Sequence, residues 1–126
     1  HACYVVEGIR DFKNAGGSIN LNFSLIHNHL YSFNTDSVWF EFLQRELMQE
    51  ERLRLWSIGM LIYSLSAHND FIEIEQSISE QLLKFYVSPG QYRFRIDDDR
   101  NLIRQKAHLI LGLSYYIYNN DRFKVN

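Results

Sequence analysis

The chain has 126 residues and a net charge of −2, from thirteen Lys and Arg against fifteen Asp and Glu. A near-neutral balance with no basic stretch lacks the electrostatic footprint of non-specific nucleic-acid binding, and the single cysteine, Cys3, excludes an internal disulfide framework and a cysteine-based zinc site. Leu, Ile, Val and Phe number 41, a third of the chain against the roughly 20% below which sequences tend to stay unfolded, so a folded core is expected, in one domain at this length.

The sole proline, Pro89, suits long helices more than a strand-and-turn sandwich. Over residues 2–13 the apolar positions Ala2, Val5, Val6, Ile9 and Phe12 follow helical spacing, and Gly16 with Gly17 supplies a stop, which predicts a first amphipathic helix. Residues 19–33 carry two patterns. Ile19, Leu21, Phe23 and Leu25 alternate as in a strand, whereas Leu21, Leu25, Ile26, Leu30 and Phe33 fit a helical face; helix is the preferred reading, and a hairpin turning near His27 and Asn28, giving an α+β fold, is the alternative. From Ser37 to Ala67 only Gly59 interrupts, which predicts one long bent helix capped by Asp36 or Ser37, or two helices meeting near residues 50–52.

Asp70 with Glu73 three residues on reads as a helix start, and Ile74, Ile78, Leu82 and Phe85 form one face, predicting a helix over residues 70–86. Ser88-Pro89-Gly90 ends it. Tyr92, Phe94 and Ile96 then alternate with arginines as a short extended segment at 92–96. Asp97 to Asp99 would favour the start of a last helix carrying Leu102, Leu109, Ile110, Leu113 and Ile117, with Asn119-Asn120 as its stop. The expected fold class is therefore mainly all-α, about five to six helices in antiparallel hairpins across residues 1–126.

One internal echo stands out at a spacing of 53 residues: Ile58-Gly59-Met60-Leu61-Ile62-Tyr63 against Leu111-Gly112-Leu113-Ser114-Tyr115-Tyr116. Both runs are apolar nearly all round, and a mid-helix glycine costs about 1 kcal/mol against alanine, so a neighbouring helix passing too close for a Cβ is the simplest reason for it. Leu111-Gly112 with Tyr115, and less closely Ile58-Gly59 with Ile62, resembles the tetratricopeptide-type helical repeat, with Asn120-Asp121-Arg122-Phe123 as a turn into a second helix. The spacing differs from that family's 34 residues, and Ile74 stands where a small residue is usual. The resemblance implies a scaffold that holds a peptide or partner protein in a concave groove, without catalytic residues.

For chemistry, His27 and His29 would diverge by about 200° on a helix and have no third ligand at suitable spacing. Neither they nor Asp97 to Asp99, which lack the alternating ligands of a calcium loop, predict a metal site. Glycine-rich phosphate cradles, Gly-x-Ser-x-Gly and His-Glu-x-x-His runs do not occur, so no cofactor is expected. Arg104 and His108, four apart on the last helix, offer a cation beside an imidazole, as a small helical RNA-cleaving enzyme would need. Glu46, Glu50 and Glu51 could serve an immunity-type or antitoxin-like inhibitor with an acidic helix face. Nineteen aromatic residues are the most unusual feature of the composition. They favour a non-enzymatic interaction domain that binds a peptide, a partner protein or its own copy, with Trp39, Tyr63, Tyr115, Tyr116 and Tyr118 as the contact residues. Nucleic acid is not expected as a partner. The apolar runs at 55–65 and 107–118 fall short of the about 18 residues of a membrane span. The chain opens at His1 without a signal-peptide pattern, as a cytoplasmic protein or a fragment of one would.

Overall fold

A computed structural model of the protein describes residues 1–66 and 71–124. The first helix, α1 (Ala2–Asn14), ends where the glycines demand it: the Gly17 amide reaches back to the Phe12 carbonyl at 2.9 Å and the Gly16 amide to that of Lys13 at 3.0 Å. Gly16 sits at φ +90°, so this is a Schellman ending that needs the left-handed region. Residues 23–31 are helical, as preferred: α2 (Phe23–Tyr31) begins at Asn22, whose side chain accepts the Leu25 amide at 3.4 Å. Its Leu30 is buried.

The helix expected from Ser37 onward does not form before Leu55. Asn34–Thr35 (β1) and Val38–Trp39 (β2) pair antiparallel, and the two residues between them, Asp36 and Ser37, take φ of 52° and 66°, the geometry of a type I′ hairpin turn. Tertiary bonds then fix the chain in extended form. Both main-chain groups of Trp39 are held by the Gln81 side chain, at 2.8 and 2.9 Å, and the Arg54 amide is held by Glu41 at 2.7 Å. The charged stretch between them forms two short 3₁₀ turns, Arg45–Leu47 and Glu50–Arg52. Since a left-handed non-glycine residue costs roughly 1–2 kcal/mol, Ser37→Gly is expected to raise stability by about 1 kcal/mol, read from the urea midpoint. A lower midpoint would show that the turn carries no strain.

At the centre lies α3 (Leu55–Leu65), with eight of its eleven residues buried. Around it pack α1, α4 (Phe71–Leu83) and α5 (Ile103–Lys124). The face expected of α4 is the face it buries: Ile78 and Phe85 are in the core, with Ile74 and Leu82 packed against them. Asp70, the expected start, lies outside the described residues. This helix stops earlier than its periodicity suggests because Tyr86–Ser88 (β3) turns back through Gly90, at φ +74°, to pair with Gln91–Tyr92 (β4). Only the first residue of the extended segment predicted at 92–96 is thus in a strand; Arg95 bridges Arg54 and Asp98 in isolation.

Asp97 to Asp99 do not begin the last helix. Asp98 belongs to a turn closed by its amide on the Arg95 carbonyl at 3.1 Å, and it accepts both the backbone amide and the guanidinium of Arg100. Those bonds hold its carboxyl below the ordinary value. Nor does Asn119-Asn120 stop α5, which continues to Lys124. Asn119 is buried, with its amide 3.5 Å from Ser66 Oγ, so burial and a side-chain partner replace the turn that two asparagines suggest. The opening of a second helix expected from the repeat resemblance at 120–123 is therefore a continuation of α5. The fold is mainly helical, with five α-helices among the described residues and two small antiparallel sheets. Among the described residues no helix is long and apolar enough to cross a membrane.

The two echoing runs pack directly on each other. A Cβ on Gly59 would stand 2.5 Å from the His108 carbonyl oxygen, and one on Gly112 closer still to the Gly59 carbonyl oxygen. The reason inferred for mid-helix glycines holds, with each glycine serving the other helix.

Candidate functional site

The Gly59–Gly112 contact sets which side chains meet. One turn beyond it on each helix stand Tyr63 and Tyr115, with ring centroids 4.7 Å apart. Arg10 reaches over from α1. Its guanidinium carbon lies 4.4 Å from both ring centroids, and its Nη1 donates to the Tyr63 carbonyl at 3.1 Å. That carbonyl belongs to the last turn of α3, where carbonyls lack helical partners and a cation complements the dipole. Arg10 Nη2 is buried without a hydrogen-bond partner among the described residues, and the two ring faces supply the favourable cation–π field that makes this tolerable. Tyr118 extends the cluster, stacked 6.4 Å from Tyr115.

Of the five aromatics expected to bind a partner, Tyr63, Tyr115 and Tyr118 are thus brought together, and the other two are placed elsewhere. Trp39 is 3% exposed, and its indole N–H donates to Ser77 Oγ at 3.2 Å. Tyr116 faces α4, where its hydroxyl donates to Glu75; that bond, and then burial, push the Tyr116 pKa up. The sequence holds no signal that Arg10 joins the tyrosines, since nothing in helical spacing aims α1 at the end of α3.

A second cluster lies toward the other end of α5. His108 donates from Nδ1 to the Arg104 carbonyl at 2.8 Å, which leaves Nε2 to accept the Tyr4 hydroxyl at 3.3 Å. Trp56 packs edge-on against the imidazole at 5.4 Å, and Arg54 sits 5.0 Å from the Trp56 ring. Arg104 and His108 are therefore joined through a main-chain carbonyl, with the Arg104 side chain exposed. Beside this cluster is a cavity of about 170 Å³, walled by Leu30, Trp39, Trp56 and Leu61 and edged by the Glu41–Arg54 ion pair. Cys3 also lines it, and burial pushes the thiol pKa up, the opposite of an activated nucleophile.

No protein-family model matches the chain, and comparison with curated proteins and with solved structures gave no match.

The acidic residues weighed for an inhibitor do not share a helix face: Glu46 lies in one 3₁₀ turn, Glu50 and Glu51 in the next, and Glu50 pairs with Lys84. His27 and His29 lie on α2, where His29 packs edge-on to Phe33. Among the described residues no three His, Cys, Asp or Glu side chains group as metal ligands would.

The outward side of α5 exposes a run of apolar side chains. Its inner side buries Gln105, Leu109, Gly112 and Asn119, while Ile103, Ala107, Ile110, Ser114, Ile117 and Tyr118 are exposed on the opposite side. From Ala107 to Asn120 the helix carries no Asp, Glu, Lys or Arg.

Proposed function

We propose that this chain is a non-catalytic protein-interaction domain that meets its partner through the outward side of α5, with the Tyr63–Tyr115–Tyr118 cluster as the aromatic edge of the contact. The observation that carries this reading is the exposure of Ile110, Ile117 and Tyr118, at 63%, 58% and 62%, on a fourteen-residue stretch of helix without a charge. A helix apolar on all sides is normally covered on all sides, and a contiguous exposed apolar patch marks a contact surface. Arg10 supports the reading by holding the Tyr63 and Tyr115 rings in place before any partner arrives, which lowers the entropy lost on association.

The test compares partner capture from native lysate by the wild-type chain and by a Tyr118→Ser, Ile117→Ser variant. Loss of every stoichiometric species, by at least about 10-fold, is expected, since central aromatic and aliphatic contacts are each worth more than about 1.4 kcal/mol. Equal capture by a folded variant would move the contact away from α5.

A further inference from the structure

The cavity beside the Trp56–His108 cluster differs from a packing fault in how its walls are held. A void in a core costs stability in proportion to its volume, and the side chains around it relax inward unless something holds them back. Here the large wall residues are tied by groups that do not themselves line the space. Trp39 donates its indole N–H to Ser77 Oγ at 3.2 Å, the Trp56 amide is held by Gln105 Oε1 at 3.0 Å, and the Trp56 ring packs edge-on against His108. About 170 Å³ therefore stays open between fixed aromatic walls. Tyr4 and Phe42, which also line it and are exposed, mark its mouth.

The polarity of the lining sets the class of molecule that fits. No lining residue has a buried side-chain nitrogen or oxygen without a hydrogen bond among the described residues, and the Gln81 amide in the wall is engaged at both ends by the Trp39 main chain. A polar guest would give up its water there and meet no partner. At the edge, Glu41 Oε2 accepts from Nε and Nη2 of Arg54 at 2.9 and 2.6 Å, while Oε1 accepts from the Arg54 amide at 2.7 Å. The two charges offset each other, so the edge favours neither an anion nor a cation.

We infer that this cavity is a binding site for a small uncharged aromatic molecule about one ring in size, seated against Trp39 and Trp56. An apolar cavity of about 150 Å³ takes up benzene, and contact between rings adds to the gain from apolar burial. The inference is independent of the contact reading of α5, because no residue of that helix lines the cavity.

The probe is toluene, titrated into the full chain and followed in proton–nitrogen correlation spectra. Both tryptophans of the chain stand in the wall, so their two indole N–H signals are expected to shift along one saturation curve, with a dissociation constant on the order of 100 μM. Benzoate, which carries a carboxylate in place of the methyl group, is expected to bind at least about 10-fold more weakly. Leu61→Phe places extra carbon in the wall; it is expected to weaken toluene binding at least about 10-fold while the urea midpoint stays at or above that of the wild type, since the added volume enters open space. Ala2→Leu, at another lining position, is the second filling variant, should the first not fold. Leu83→Ser, at an exposed apolar position outside the cavity, is expected to leave the affinity unchanged. No saturable shift up to the solubility limit of toluene, benzoate bound as tightly as toluene, undiminished affinity in a folded filling variant, or an equal loss in Leu83→Ser would each overturn the proposal.

Discussion

Gly112→Ala should destabilise the domain by about 3 kcal/mol. The substitution has one favourable contribution, since alanine is better than glycine in a helix interior by about 1 kcal/mol. Against it stands a Cβ placed inside contact distance of the Gly59 carbonyl oxygen. That obstacle is backbone, with no rotamer to move aside, so α3 and α5 must separate and loosen their whole shared surface; overpacking of this kind costs about 1–3 kcal/mol even where side chains can adjust. Gly59→Ala meets the His108 carbonyl and should behave alike. Gly8→Ala is the control, because nothing lies within 4 Å of the site its Cβ would take on α1, and there the helix preference alone should raise the urea midpoint. If all three variants raised the midpoint, the close crossing would be refuted.

The second large effect belongs to Gln81→Leu, expected to lower stability by about 2–4 kcal/mol. Gln81 is 3% exposed and bonds both the amide and the carbonyl of Trp39. Leucine keeps much of the volume and leaves two buried main-chain groups unsatisfied, at about 1–3 kcal/mol each. Gln81→Glu should recover part of the loss by keeping the acceptor for the Trp39 amide. Thermal melts of the two variants, followed by near-ultraviolet circular dichroism of the tryptophans, measure the difference. Equal melting of Gln81→Leu and wild type would show that the hairpin is held by other contacts.

How far the sequence could be read depended on the distance at which each choice is made. The glycine contact was legible because Gly59 and Gly112 each sit inside an uninterrupted apolar run, where only a close neighbour justifies losing a Cβ. The Schellman ending at Gly16 and the buried face of α4 were legible from residues a turn or two away. Residues 37–54 were not, because their apolar positions suit a helix locally and the deciding bonds come from elsewhere: Gln81 lies 42 residues from Trp39, and Glu41 holds Arg54 thirteen residues on. The turn itself is Asp-Ser, without the Asn-Gly that announces a type I′ hairpin. At the candidate site, Tyr63 and Tyr115 come together through their equivalent places beyond the two glycines, whereas Trp39 and Tyr116 show that an aromatic residue reveals its burial only once its neighbours are known.

The helix α5 separates two properties that most surface helices combine. Gly112 faces inward on α3, while Ile110, two residues earlier, faces outward. Changes at the outer positions meet solvent and leave the core untouched, and changes at the inner ones bear on the fold. Because the two sets share no partners, their effects should add. Substitutions along the outer side of α5 can therefore accumulate at little cost to folding stability, while those on its inner side shift it.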